Sequence, residues 1–261
     1  MNNISSFVQI EIDPLNPAQV FACCGLLELM AAMNPRVLGS FKYDTRRFRN
    51  ASFRLNSVNK ADFSDILAAL KKTKYEATGG FSDGEAPVSL DIPGICKLTL
   101  DWWMKPERNI KSSFKLWAGQ QKTIKLIEDM LTADWGSLDH TVLEHRLPMS
   151  GRFGLDPRSA WNTLDFGSSP NTQNREAYTY PATEMLAAVG LQGFRPRATG
   201  NRGFSYRFWD KPLSLIAARA AISGALPTIG STGFAFKVKN RSGSYSNFTF
   251  AQPINNKGVK P

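Results

Sequence analysis

Near its start the chain reads Asn16-Pro-Ala-Gln-Val-Phe-Ala-Cys-Cys-Gly-Leu-Leu-Glu-Leu29, and this apolar stretch predicts the central helix of the fold. Asparagine is a favoured helix cap and proline a favoured first helical residue, so the helix should begin at Pro17. It should end near Met33, before the next Asn-Pro pair. Gln19 and Glu28 point in opposite directions, so the helix is apolar nearly all round. We therefore expect it to be buried, with Glu28 paired to an arginine.

A second stretch, Pro181–Leu191, repeats this pattern. Both stretches begin with proline and contain the sequence Ala-x-x-Gly-Leu, at Ala22–Leu26 and Ala187–Leu191. Two explanations are open at this point. The stretches are either copies of a duplicated unit or two buried helices that each need a small residue for close packing. The second explanation is the simpler one.

The rest of the chain alternates between helical and strand-like patterns. Its length of 261 residues and 42% hydrophobic content are those of an ordinary globular protein. We predict an α+β fold of mixed sheets with several buried apolar helices, and two related α/β halves if the duplication is real. The expected regions are 1–135 and 136–261, or one continuous domain. Strands are expected at 7–12, 36–60 and 88–103 with a hairpin at 234–250, and helices near 62–72, 113–132 and 213–225. If residues 203–209 form a strand, Phe204, Tyr206 and Phe208 share one face of it.

The motifs that the sequence lacks exclude several classes of protein. It has no apolar run of about 18 residues, so no membrane-spanning helix is expected. Its start shows no signal-peptide pattern, and an odd number of cysteines indicates a reduced, cytoplasmic protein. Phosphate-binding glycine loops, dinucleotide fingerprints and paired-cysteine zinc motifs do not occur. We therefore expect no cofactor, no metal and no membrane contact.

Charge gives the strongest functional signal. The chain has 32 Lys and Arg against 22 Asp and Glu, a net charge of +10, which favours an anionic partner such as nucleic acid. Lys115, Lys122 and Lys125 share one face of the helix expected at 113–132 and are candidates for phosphate contact. Asp129 lies in the same stripe, which favours an ordinary solvated face instead.

The segment Gly193–Trp209 interleaves arginines with aromatic residues. Basic side chains bind phosphates and aromatic rings stack on bases, so this combination is typical of nucleic-acid-binding surfaces. The alternative is an ordinary strand with an aromatic core face. The candidates are Arg195, Arg197, Arg202 and Arg207 for phosphates, and Phe204, Tyr206 and Trp209 for stacking on bases or wedging into a duplex.

Two histidines form the only His–carboxylate cluster in the sequence, beside Asp139 and Glu144. His140 and His145 are five residues apart, so on one helix they would diverge by roughly 140°. That spacing is poor for a shared metal ion. We expect surface histidines here, and acid–base chemistry by either one only as an alternative.

Four stretches together are similar to a known family. They are residues 16–29, Arg152-Phe-Gly-Leu-Asp-Pro-Arg-Ser-Ala-Trp-Asn-Thr-Leu-Asp-Phe-Gly-Ser-Ser-Pro-Asn171, Tyr180–Glu184 and Gly190–Pro196. They resemble the short, large-subunit-like protein of type I-U (also called I-G) CRISPR-associated interference complexes. The matching runs extend from residue 16 to about residue 196, so the resemblance covers most of the chain.

The resemblance implies a non-catalytic subunit of a CRISPR RNA-guided surveillance complex in antiviral defence. Its partners would be guide RNA, target DNA, other CRISPR-associated subunits and a helicase–nuclease, and base pairing would read the target sequence. Arg152 and Arg158, in a Gly-rich loop, are further candidates for contact with the duplex beside the target. The alternatives are a guide-RNA-processing nuclease that uses His140 or His145, and a structural subunit that contacts only proteins.

Overall fold

The computed structural model describes residues 6–44, 51–78, 87–101, 122–149, 151–159, 178–200, 202–226, 230–242 and 245–254. Within these residues the chain forms helices and several small antiparallel sheets, which confirms the α+β fold class. In the same ranges, no helix is long and apolar enough to cross a membrane.

The first helix, α1 (Pro17–Met33), has the limits that the sequence predicts. The Asn16 side chain caps it by accepting hydrogen bonds from the backbone N–H groups of Ala18, at 3.0 Å, and Gln19, at 3.4 Å. Most of its residues are buried. Glu28 pairs with an arginine as expected: its Oε1 accepts a hydrogen bond from Nε of Arg219 at 2.8 Å.

The second apolar stretch forms α4 (Pro181–Gly193), which packs directly on α1. The two helices meet at Gly25 and Gly190, where a Cβ atom would lie 2.1 Å from the carbonyl oxygen of Leu186 and 2.0 Å from that of Phe21, respectively. Contacts this short are impossible for a side-chain carbon, so each helix needs glycine at the crossing. The shared Ala-x-x-Gly-Leu pattern is therefore explained by close packing.

A three-stranded sheet packs against α1. It has the order β1 (Phe7–Ile12), β3 (Ala51–Asn56), β2 (Leu38–Lys42), and all its strands are antiparallel. A second three-stranded sheet has the order β4 (Lys74–Ala77), β5 (Val88–Ile92), β6 (Cys96–Leu100). The remaining short pair is β7 (Leu147–Pro148) with β8 (Tyr178–Thr179).

The five-stranded sheet comes from the C-terminal part of the chain. Its core face carries Tyr206 and Phe236, which both contact Phe21 of α1 edge to face. Tyr206 is fixed further by its hydroxyl, which donates to the carbonyl of Pro14 at 2.7 Å. The sheet has the order β12 (Tyr245–Phe248), β11 (Gly230–Ser242), β10 (Gly203–Trp209), β9 (Arg197–Gly200), with β13 (Gln252–Pro253) also paired to β11.

Three other helices complete the described fold: α2 (Lys60–Lys71), α3 (Thr123–Thr132) and α5 (Leu215–Ile222). The prediction of one continuous helix over 113–132 is wrong, because Lys122 has an extended backbone and α3 begins at Thr123. The expected start near residue 113 lies outside the described residues.

One hydrophobic core joins the regions 1–135 and 136–261. Besides the contact of α1 with α4, Phe41 of β2 stacks on Phe208 of β10 with their ring centroids 4.1 Å apart. The indole N–H of Trp209 donates to the carbonyl of Gly39 at 2.7 Å. These contacts fix the five-stranded sheet against the rest of the molecule and leave its other surface to carry charge.

A candidate nucleic-acid interface

The positive charge of this protein belongs to its C-terminal part. Residues 185–261 hold eleven Lys and Arg but one acidic residue, Asp210, so this segment has a charge of +10. That equals the net charge of the whole chain, and residues 1–184 are therefore electrically neutral, with 21 basic and 21 acidic residues. A potential concentrated on one segment attracts an anion far more strongly than the same charge spread evenly.

Four exposed cations of this segment lie on or beside the five-stranded sheet, and we call them the basic sheet face: Arg197, Arg202, Lys237 and Lys239. Residues that pair directly in an antiparallel sheet point to the same side of it. Ser205 pairs with both Arg197 and Ala235. Gly203, two residues earlier in β10 and therefore on the same side of the sheet, pairs with Lys237.

The register also explains why these cations are exposed. In β11, Phe236 and Val238 point into the core and are buried, so Lys237 and Lys239 point outward. The carbonyl of Arg202 accepts a hydrogen bond from the backbone N–H of Val238 at 2.9 Å, which places the Arg202 backbone opposite the residue between the two lysines. Small residues separate the cations on this side of the sheet: Gly203, Ser205, Gly233 and Ala235.

The cations of the basic sheet face lack acidic partners, as do several other exposed cations of the described residues, but they lie in a segment that holds a single acidic residue. Among the described residues, none of its four cations forms an ion pair or a side-chain hydrogen bond. Elsewhere Arg219 pairs with Glu28, and Lys125 lies 2.9 Å from Asp129 and 3.1 Å from Glu128. Exposed cations without intramolecular partners are available to an anionic ligand.

Arg202 occupies a conformation that arginine rarely adopts. It lies in the short turn that joins β9 to β10, where Gly200 pairs with Gly203, and its φ is +58°. A left-handed backbone at a residue with a Cβ atom costs about 1 kcal/mol relative to glycine. The fold thus holds an exposed guanidinium at a position where glycine would be the more stable residue.

The aromatic candidates from the sequence are wrong. Phe204, Tyr206 and Trp209 are all buried, with Trp209 wholly inaccessible and packed against Phe41. Tyr206 lies nearly parallel to Phe234 on the core face. These rings cannot stack on bases, because other parts of the protein already cover them, and the alternative of an aromatic core strand is the one that the structure adopts.

Arg152 and Arg158 do not form an exposed patch either. Arg152 is 3% exposed, and Arg158 is held by Asp156, with Nη2 to Oδ2 at 2.7 Å, and by Glu144, with Nη1 to Oε2 at 2.8 Å. The guanidinium of Arg158 also lies over the ring of Tyr180, 3.5 Å from its centroid. The prediction that these two arginines reach a duplex is wrong, because both take part in the interior packing of the loop.

That loop is organised around one buried carboxylate. Glu184, in the first turn of α4, accepts hydrogen bonds from the backbone N–H groups of Phe153, Leu155 and Asp156 at 2.9–3.3 Å. Burial raises the pKa of Glu184 to about 7, although the N–H donors of Asp156 and Leu155 and the charge of Arg152 act to lower it. The acid therefore fixes a loop inside the fold, at the N-terminus of a helix.

The remaining basic candidates differ in exposure and in their acidic neighbours. Lys122 and Lys125 are exposed, but Lys122 precedes α3. The hydrogen bonds that the Lys125 ammonium donates to Asp129 and Glu128 raise the pKa of Lys125. The stripe they were expected to share is thus neither one helical face nor free of acid, and Lys115 lies outside the described residues. Arg195 is exposed, whereas Arg207 is half-buried against the turn at Gly224.

The histidine candidates lie near the surface in the segment after α3. His140 is about half exposed, and its Nδ1 is 3.9 Å from Oδ1 of Asp139. His145 is half-buried, and a Cβ atom at Gly136 would lie 2.6 Å from its Nδ1. In the portion of the chain that is described, no group of three or more His, Cys, Asp or Glu side chains could hold a metal ion.

Sequence reasoning missed Lys237 and Lys239. The signal was present, because no Asp or Glu follows Asp210 in the sequence. Comparisons with known proteins add no assignment: no family model, no curated protein and no solved structure matches this chain.

Proposed function

We propose that this protein is a non-catalytic nucleic-acid-binding subunit of a CRISPR RNA-guided surveillance complex. The supporting observation is the basic sheet face, four exposed cations without acidic partners in the segment that carries the whole net charge. The guide-complex context comes from the sequence resemblance. Guide RNA, target DNA, other CRISPR-associated subunits and a helicase–nuclease are the partners in this proposal.

The arrangement of the cations favours a polynucleotide over a small anion. A site for a single phosphate gathers donors around one point, often in a pocket with backbone N–H groups. Here Arg197 and Lys237 lie on strands that are separated by β10, so they are roughly 10 Å apart across the sheet. Lys237 and Lys239 follow one another along β11, about 7 Å apart. This spread suits successive phosphates of one chain.

The first test removes the basic sheet face. Replacing Arg197, Arg202, Lys237 and Lys239 together with alanine should lower affinity for RNA and DNA about 100-fold or more at low salt. The magnitude of the slope of log affinity against log salt should fall by about 3. Each phosphate contact releases roughly 0.7–0.9 counterions on binding, and the variant loses four such contacts. Fluorescence anisotropy with labelled oligonucleotides at several salt concentrations measures both quantities.

The matched control neutralises four exposed cations in the uncharged part of the chain: Arg36, Lys60, Lys72 and Lys74. This variant has the same net charge as the first, so it separates a local contact from a general loss of charge. We expect it to keep most of the affinity. Equal losses in the two variants, or binding that does not weaken with salt, would contradict the proposal.

Arg202 allows a test in which binding and stability change in opposite directions. Arg202→Gly removes the charge and also relieves the left-handed backbone at φ +58°. We expect affinity to fall about 3- to 10-fold, while the free energy of unfolding stays the same or rises by up to about 1 kcal/mol. Urea denaturation gives the second number. A variant that loses stability and keeps its affinity would show that Arg202 serves the fold.

A further inference from the structure

The most exposed aromatic residues among those whose burial the structure describes are Phe7, Tyr178 and Phe250, at 45%, 37% and 48%. The first two are covered by arginines, since the Arg54 guanidinium lies 4.1 Å from the ring centroid of Phe7 and that of Arg146 lies 5.0 Å from Tyr178. Phe250 is 48% exposed, and among the described residues its ring has no aromatic or cationic partner. The ring of Phe250 is therefore accessible to a ligand.

Along the chain, Phe250 directly follows a residue that is hydrogen-bonded to the backbone of the basic sheet face. Its neighbour Thr249 is bonded twice to Lys237: the Lys237 backbone N–H donates to Oγ1 at 3.0 Å, and the Thr249 N–H donates to the Lys237 carbonyl at 2.9 Å. On the other side, the N–H of Ala251 donates to the carbonyl of Leu15 at 2.7 Å. Both flanking residues are therefore anchored, so the ring is presented from a fixed backbone.

An exposed ring beside unpaired cations matches one class of ligand better than others. Single strands present free base faces, which stack on aromatic side chains while their phosphates contact Lys and Arg. A duplex hides those faces between base pairs, and only its phosphates would reach Lys237 and Lys239. An acidic protein would use the cations but would give the ring no stacking partner.

We propose that Phe250 stacks on an unpaired base of a single-stranded nucleic acid whose backbone follows the basic sheet face. This inference rests on the proposed function and specifies its ligand: a single strand, RNA or DNA, bound with little dependence on sequence. It also assigns the base-stacking role to a residue outside the Gly193–Trp209 segment.

The test compares three substitutions at Phe250, using single-stranded RNA, single-stranded DNA and a duplex of the same sequence. Phe250→Ala and Phe250→Leu should weaken single-strand binding about 5- to 100-fold with an unchanged salt slope, because they remove stacking and no charge. Phe250→Trp should retain affinity, and its fluorescence should be quenched when the strand binds. Phe7→Ala, at the other exposed phenylalanine, serves as the matched control and should bind like the unmodified protein.

The outcomes separate this inference from the proposed function. If the protein binds no nucleic acid, the proposed function fails. If it binds single strands and duplex equally well, and Phe250→Ala and Phe250→Leu keep full affinity, the basic sheet face still binds nucleic acid but the stacking role of Phe250 is overturned. A difference between the RNA and DNA arms identifies which strand the surface prefers, and thermal unfolding of each variant verifies that it is folded.

Discussion

Replacing Gly25 or Gly190 with alanine is expected to lower the free energy of unfolding by about 3–5 kcal/mol. A Cβ atom at Gly25 would lie 2.1 Å from the carbonyl oxygen of Leu186, and one at Gly190 would lie 2.0 Å from that of Phe21. Both obstacles are backbone atoms of a buried helix, so they cannot move aside as a flexible side chain would. The helices themselves would have to separate.

The expected change in the free energy of unfolding is opposite in sign to the change that helix propensity predicts. Alanine in a helix interior is normally more stable than glycine by about 1 kcal/mol, so propensity alone predicts stabilisation at both positions. The matched control is Ala32→Gly in the exposed last turn of α1, which should cost about 1 kcal/mol or less. Urea unfolding followed by circular dichroism measures all three variants. Stabilisation by Gly25→Ala would refute the close contact of α1 and α4.

The second large effect is a dependence of stability on pH that comes from Glu184. Its pKa in the folded protein is about 7, above the ordinary value of 4.5, because burial disfavours the ionised form. Between these two pH values the unfolded chain has lost this proton and the folded chain keeps it. The contribution of Glu184 to the free energy of unfolding is therefore highest below pH 4.5 and falls by about 3 kcal/mol as pH rises to 7.

Glu184→Gln isolates this contribution, because glutamine has the same shape and does not titrate. The variant should be less stable overall. Both carboxyl oxygens of Glu184 accept hydrogen bonds from backbone N–H groups, and the NH2 group of glutamine cannot accept them. The diagnostic quantity is the difference in unfolding free energy between the unmodified protein and the variant. It should shrink between pH 4.5 and 7 and stay level above that, whereas a constant difference would argue against the raised pKa.

Much of the fold could be predicted from local patterns. The Asn-Pro signal at residue 16 sets the start of α1, and alternation predicts β1 with the limits that the structure has. The sequence leaves a strand at 203–209 conditional, and the structure forms it as β10. Glu28 could be expected to pair with an arginine, because an acid in an apolar helix needs a partner. Its partner, Arg219, is 191 residues away and could not be named from the sequence.

The candidate site shows where such reasoning stops. Alternation in β10 correctly separates Tyr206 from Ser205, but it does not say whether the aromatic side meets solvent or another part of the protein. Phe21 of α1 covers Tyr206, so the aromatic side is core and the cations of the opposite side form the surface. The exposed ring beside those cations, Phe250, follows β12 and gives no pattern in the sequence.

The sequence by itself determined the apolar helices, their glycines, several of the strands and the placement of all net charge after residue 184, because propensity, capping and composition are properties of neighbouring residues. Only the tertiary structure decided which cations are free and which aromatic rings are open. A charge is neutralised, and a ring is covered, by whatever residue packs against it. In this fold those residues, such as Glu28 for Arg219 and Phe41 for Trp209, come from distant parts of the chain.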